Sequence, residues 1–65
     1  MNIKQKILKF LIENKESSFN IYELSKNLKI DYKLVYINIK KLGKEKSIEI
    51  EDLKNQKRCS FKNNF

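Results

Sequence analysis

The apolar residues of this 65-residue chain change their spacing at Ile48. Before this position they recur every three or four residues, as on one face of a helix, whereas after it they alternate with polar residues, as in a half-buried strand. The alternating positions are Ile48, Ile50, Cys59 and Phe61, and a polar stretch separates the two pairs. We therefore predict helices followed by a β-hairpin over about residues 48–62. An isolated hairpin is marginally stable in water, so its apolar face must pack on the helices.

A first amphipathic helix is predicted over about residues 2–14. Its main apolar positions follow the i, i+4, i+8 spacing of one helix face, and three more apolar residues widen the stripe. They are Ile3, Ile7 and Leu11, widened by Leu8, Phe10 and Ile12. Asn2 can act as the N-cap, and Gln5, three residues later, can reach back in the manner of a capping box.

A second helix, over about residues 20–28, has a more complete start signal. Asn20 stands at the N-cap position, and Glu23 stands three residues later, where a capping box requires it. Phe19 before the cap and Leu24 inside the helix can pack together as a hydrophobic staple. The start of this helix is therefore better marked than that of the first.

A third helix is predicted over about residues 31–44, with Asp31 as its N-cap, shortly after the second helix ends. One of its faces is apolar and belongs to the core. That face consists of Val35, Ile39 and Leu42, with Leu34 beside them. The opposite face is basic and aromatic. It consists of Tyr32, Lys33, Tyr36, Ile37, Lys40 and Lys41.

The chain carries 15 basic and 8 acidic residues, a formal net charge of +7, and has no histidine. A balance of this sign favours polyanionic partners, nucleic acid first. The lysine-rich composition weakens this evidence, because lysines also form ordinary solvated surfaces, so their placement matters. Five lysines and one acid, a net +4, fall in residues 32–47. Three further bases, Lys54, Lys57 and Arg58, are expected at the turn of the hairpin.

The order of three short helices, with a tight turn between the second and third, followed by a hairpin resembles the winged helix-turn-helix family. Residues 22–30 are similar to its second helix and turn, residues 31–42 to its recognition helix, and residues 48–51 with 58–61 to the strands of its wing. The small bacterial and archaeal MarR- or ArsR-like regulators are the most similar.

This resemblance implies a single α+β domain over residues 1–65, with a short third strand near Phe19. The chain departs from the family at Lys46 and Ser47, where the family often has Gly-Leu before the first wing strand.

By this resemblance the chain is a regulator that binds double-stranded DNA. The third helix would enter the major groove, and the basic hairpin turn would contact the backbone or the minor groove, with Arg58 the candidate for insertion. The expected DNA-binding residues are Tyr32, Lys33, Tyr36, Ile37, Lys40, Lys41, Lys54, Lys57 and Arg58. A homodimer is compatible with this reading, through the first helix or through residues 61–65.

A second hypothesis is a protein-interaction module, because winged helices also serve as docking domains. Tyr32, Tyr36 and Ile37 would then form the interface, and the lysines would be incidental. The two hypotheses predict different surfaces. A contiguous positive surface over the third helix and the hairpin turn favours DNA, whereas acids interrupting it favour a protein partner.

The composition argues against an enzyme and against a bound cofactor. A chain this short buries only about 60% of its unfolded surface and leaves no room for a deep substrate cavity. A single cysteine without histidine removes the common zinc ligand sets and nucleophile–base pairs, and Cys59 is expected to be a small buried apolar residue. With no membrane-length apolar stretch, we expect a cytoplasmic protein, nucleoid-associated if it binds DNA, with no membrane or small-molecule partner.

Overall fold

The computed structural model describes residues 2–62, which form three helices and one three-stranded antiparallel sheet. The elements are α1 (Ile3–Glu13), β1 (Phe19–Asn20), α2 (Ile21–Leu28), α3 (Tyr32–Lys44), β2 (Ile48–Leu53) and β3 (Gln56–Phe61). The strand order is β1-β3-β2, so β2 lies at one edge of the sheet. The α+β class is confirmed. The short strand expected near Phe19 is also present, with Phe19 paired to Cys59 of β3.

Each helix begins at the predicted N-cap residue. The side chain of Asn20 accepts from the backbone N–H of Glu23, whose carboxylate accepts from the backbone of Asn20, so the predicted capping box is complete. Asp31 accepts from the backbone N–H of Lys33. At α1, Asn2 accepts from the backbone N–H of Gln5, which is the first of the two bonds of a capping box. Local hydrogen bonding therefore sets all three helix starts.

Shortly after the end of both α2 and α3 a lysine lies in the left-handed backbone region. Lys29 has φ 56° and Lys46 has φ 61°. The next residue in each case donates its backbone N–H to a carbonyl five positions back, Ile30 to Ser25 at 3.1 Å and Ser47 to Leu42 at 3.0 Å. This is the Schellman ending, in which glycine is the usual residue at the left-handed position. At the departure noted in the sequence, Lys46 thus adopts a conformation that glycine adopts more easily.

The core lies between the three helices and one face of the sheet. Its buried residues are Ile7, Leu11, Ile21, Leu24, Val35, Ile39, Leu42, Ile48 and Cys59. Phe10 and Phe19 pack beside this core with ring centroids 4.9 Å apart. Among the described residues, no polar or charged residue is buried. The core is therefore entirely apolar and mostly aliphatic.

Two residues expected at the edge of the apolar faces are instead exposed. Ile12 is 45% exposed and Leu34 is 44% exposed. Ile12 directly follows the core residue Leu11, and Leu34 directly precedes the core residue Val35. Each exposed side chain therefore points about 100° around the helix from its buried neighbour. The assignment of Leu34 to the core of α3 and of Ile12 to the apolar stripe of α1 is therefore wrong.

The helix α3 and the strand β2 approach each other closely at Gly43. A Cβ atom at this glycine would lie 2.5 Å from Cδ1 of Ile50. On β2 the residues Ile48 and Ile50 lie opposite Phe61 and Cys59 of β3 and share one sheet face. The hairpin is thereby packed beside α3. None of the helices within residues 2–62 is long and apolar enough to cross a membrane.

Candidate nucleic-acid interface

A surface groove runs between α3 and the hairpin, and we call it the α3–hairpin groove. Its lining residues are Tyr36, Ile37, Lys40, Lys41, Gly43 and Lys44 of α3, Ile48, Ile50 and Asp52 of β2, and Lys57 of β3. Four of the ten are lysines and one is an acid, so the groove has a net positive charge.

The periodicity of α3 explains why its lysines line this groove. Tyr36, Lys40 and Lys44 are four residues apart and therefore lie on one face of the helix. Between Tyr32 and Lys44 the helix has four lysines and no acid, so no intrahelical partner neutralises them. The two exposed side chains at Ile37 and Lys41 widen the same face.

Lys57 brings a cation to the groove from the other side. Its register partner in the hairpin is Asp52, and the Nζ of Lys57 lies 3.8 Å from Oδ1 of Asp52. An exposed ion pair of this length contributes at most about 1 kcal/mol, so it holds Lys57 only loosely. The Nζ atoms of Lys40 and Lys57 lie 5.5 and 6.0 Å from the centre of the Tyr36 ring. Cations from both walls therefore converge on this tyrosine.

A second recess adjoins the groove, and we call it the tyrosine cleft. It lies between the beginnings of α2 and α3 and the end of the hairpin, and it includes Tyr22, Tyr32, Tyr36, Leu53, Gln56 and Lys57. Tyr36, Asp52 and Lys57 line both recesses. The groove and the cleft therefore adjoin each other along these three residues.

The structure brings most of the predicted site residues together. Tyr36, Ile37, Lys40, Lys41 and Lys57 line the groove, and Tyr32 lines the adjoining cleft. The other predicted cations, Lys33 and Lys54, are exposed but line neither recess. Lys33 lies in the first turn of α3, and Lys54 lies in the two-residue turn between β2 and β3.

Arg58 is not at the hairpin turn, and this correction changes its role. It lies in β3, opposite Glu51, on the sheet face that points away from α3. Its guanidinium donates from Nε to Oγ of Ser18 at 2.9 Å and from Nη2 to the carbonyl of Ser18 at 2.8 Å. Its Nη2 also lies 3.7 Å from the carboxylate of Glu23. The guanidinium is thus engaged in contacts with the loop before β1 and with α2, and it does not line the groove.

Lys44 and Tyr22 line these recesses but were not among the predicted site residues. Lys44 lies four residues beyond Lys40, so the helical spacing already indicated that it shares the face. Tyr22 is the second residue of α2 and reaches the cleft only because the turn after α2 brings the start of α3 beside it. No local sequence pattern marks that juxtaposition.

Cys59 is fully buried in the core, as expected. Burial raises the pKa of its thiol to about 11, partly offset by the nearby charges of Lys57 and Arg58. The thiol is therefore protonated at neutral pH, in the form that is a poor nucleophile. It packs as a small apolar residue beneath the sheet.

Comparison of the chain with protein-family models, with curated proteins and with solved structures found no match. A function therefore has to be inferred from the residues of the groove and the cleft themselves.

Proposed function

We propose that this chain is a winged-helix protein that binds double-stranded DNA and acts as a transcription regulator. The observation that carries the proposal is the α3–hairpin groove, which is lined by four lysines from two elements together with apolar side chains. The single acid of the groove, Asp52, is already paired with Lys57. A groove of this charge suits a phosphate backbone.

The position of α3 supports entry into the major groove. The helix has 13 residues, so it is about 20 Å long, and its exposed face is free of acids. The DNA major groove is about 12 Å wide and admits one helix. Lys33, Ile37 and Lys40 are exposed along α3 and would meet base edges or phosphates, while Lys44 and Lys57 hold one DNA strand in the α3–hairpin groove.

Phosphate contact and DNA shape, rather than strict reading of bases, would dominate the recognition. The side chains that most often read bases are Arg, Asn and Gln. On α3 the only such residue is Asn38, whose amide donates to the carbonyl of Leu34 at 2.7 Å and is thereby engaged within the helix. Lysines can contact guanine, and Ile37 can contact a thymine methyl group, but these contacts discriminate weakly.

The protein-interaction module is the alternative proposal, favoured by the exposure of apolar side chains on α3. Ile37 is 47% and Leu34 is 44% exposed. A protein partner would cover these side chains and would not need the lysines of the groove.

A salt titration tests the DNA proposal directly. The affinity for a duplex of about 20 base pairs is measured by fluorescence anisotropy between about 50 and 300 mM salt, and log K should fall linearly with log salt. Lys40→Ala and Lys44→Ala should each reduce this slope by about 1, because each removes one phosphate contact. The matched control is Lys15→Ala, which removes the same charge from the exposed loop after α1 and should leave the slope unchanged.

Binding without salt dependence, or no binding at about 50 mM salt, would overturn the proposal in favour of the interaction module. An equal effect of Lys15→Ala and Lys44→Ala would show a diffuse attraction to the whole cationic chain and would overturn the assignment to the groove.

A further inference from the structure

All three tyrosines of the chain line the same recess. The sequence contains three tyrosines, and Tyr22, Tyr32 and Tyr36 meet in the tyrosine cleft although they come from two helices. Their side chains are not part of the core, since they are 56%, 50% and 36% exposed. The core is mostly aliphatic and does not need them. Three aromatic rings gathered at one place on the surface therefore indicate a ligand with flat apolar faces.

The groups around the rings identify the chemistry of that ligand. Lys26 holds its Nζ 5.1 Å from the centre of the Tyr22 ring, and Lys40 and Lys57 approach the Tyr36 ring. On the hairpin side Gln56 accepts a hydrogen bond from the amide of Asn20 at 3.0 Å, so amide groups are also present. Of these lysines only Lys57 lines the cleft itself, and its partner Asp52 lines it too, so the positive charge lies at the border of the cleft. Aromatic rings with amides beside them and lysines at the border match a nucleotide, whose base stacks, whose base edges form hydrogen bonds and whose phosphate is anionic.

The shared border of the two recesses indicates which nucleotides could reach the rings. Tyr36 and Lys57 line both the cleft and the α3–hairpin groove, so a DNA strand that passes over these two side chains would reach from the groove to the cleft. The bases of an intact duplex are stacked on one another and do not expose their faces. Bases beyond the end of a duplex, or within a gap or fork, do expose them.

We propose that the tyrosine cleft stacks one or two unpaired bases of a DNA strand whose duplex part lies in the α3–hairpin groove. The protein then binds junctions between double-stranded and single-stranded DNA more tightly than it binds blunt duplex. This inference rests on the proposed DNA-binding function and names the form of DNA that the site prefers.

Three DNAs separate stacking from charge. They are a blunt duplex, the same duplex with an overhang of four thymidines, and the same duplex with four abasic sites in the overhang. The affinity for each is measured by anisotropy, and the two overhangs are tested on the 3′ end and on the 5′ end. The abasic overhang has the same phosphates but no bases. We expect the thymidine overhang to bind about ten-fold more tightly than the abasic one, since stacking of each base on an aromatic ring contributes about five-fold or more.

Paired substitutions separate the ring from its hydroxyl. Tyr22→Leu and Tyr32→Leu should bring the thymidine overhang to the abasic level and leave blunt-duplex affinity unchanged, whereas Tyr22→Phe should keep the preference. Because both tyrosines are at least half exposed, these variants are expected to fold, and circular dichroism checks this.

Equal binding of the thymidine and abasic overhangs would overturn the inference. So would a preference that survives both leucine variants, or a Tyr22→Phe variant as weak as Tyr22→Leu, because the hydroxyl would then be the contact. If blunt duplex still binds with the salt dependence described above, only the cleft assignment fails. If neither duplex nor overhang binds, the DNA-binding function fails with it.

Discussion

Lys57 and Arg58 are adjacent residues of β3, but their side chains lie on opposite faces of the sheet. The side chain of Lys57 faces α3, forms a loose ion pair with Asp52 and lines the positive groove. The side chain of Arg58 faces the other side of the sheet and donates two short hydrogen bonds to Ser18. Side chains alternate between the two faces of a strand, so adjacent cations need not share a surface. A count of the basic side chains in a hairpin therefore overstates how many of them one ligand can contact.

The two faces of β2 should also differ in how much their side chains contribute to the free energy of unfolding. Ile48 is 3% exposed on the inner face, and the adjacent Glu49 is exposed on the outer face. Ile48→Ala should lower the free energy of unfolding by about 3 kcal/mol, because it leaves a cavity in the core, whereas Glu49→Ala should change it by less than about 0.5 kcal/mol. Urea denaturation followed by circular dichroism measures both.

If Ile48→Ala leaves no folded protein, Ile48→Val keeps the comparison measurable with an expected loss of about 1 kcal/mol. Equal losses at Ile48 and Glu49 would contradict the assignment of the two faces.

Cys59 offers a pH-dependent test of the inner face. Its pKa is raised from 9.0 to about 11 by burial, so the unfolded chain loses the thiol proton at lower pH than the folded chain does. The stability that this group contributes is therefore fully present below pH 9 and is lost as the pH rises to about 11, a decrease of about 2 kcal/mol. The free energy of unfolding is measured under reducing conditions at several pH values.

The control is Cys59→Ala, which lacks the thiol but keeps every other ionisable group of the chain. Its stability should be lower at pH 7 and should fall less steeply between pH 9 and 11. Identical pH profiles of the two proteins would contradict a buried, protonated thiol.

Separate substitutions of Lys57 and Arg58 test whether the two side chains have different roles, and their expected effects on stability are smaller than those above. Arg58→Ala should lower the free energy of unfolding by about 1–2 kcal/mol, because it removes hydrogen bonds from a charged donor, and should leave the salt slope of DNA binding unchanged. Lys57→Ala should do the reverse, with nearly unchanged stability and a slope reduced by about 1. A full unit of slope lost in Arg58→Ala would place the guanidinium on the DNA, as the sequence alone had indicated.

The smallest expected effect concerns the lysine that precedes the hairpin. Lys46 has φ 61°, a backbone conformation that costs a non-glycine residue about 1 kcal/mol. Lys46→Gly should therefore raise the free energy of unfolding by up to about 1 kcal/mol, which a shift in the urea midpoint measures. Lys40→Gly, inside α3, is the matched control and should lower stability by about 1 kcal/mol. A loss in both variants would contradict the Schellman ending.

The helix starts could be predicted from the sequence because the signals for them are local. The capping box at Asn20 and Glu23 needs only residues three positions apart, and the helical period places Tyr36 and Lys40 on one face. These patterns need no knowledge of distant contacts.

The position of the hairpin turn could not be predicted in the same way, although the alternation of Cys59 and Phe61 with polar residues already puts Lys57 and Arg58 on opposite faces. The polar stretch between the strands allows several placements of the turn, and a shift of one residue exchanges the two sheet faces. In the folded chain the turn lies at Lys54 and Asn55, which fixes the register of the two strands. This register allows Cys59 and Phe61 to pack on the core. The tyrosine cleft could not be predicted from the sequence either, because its tyrosines come together only when the turn after α2 is folded.

The position of β2 at the edge of the sheet has a consequence for self-association. An edge strand presents unpaired backbone groups to which a second copy of the strand can add. Within four positions β2 carries Glu49, Glu51 and Asp52, all exposed. Two such strands brought side by side would crowd carboxylates together, and like charges across a strand pair repel. These acids therefore oppose the edge-to-edge pairing of two copies through this strand.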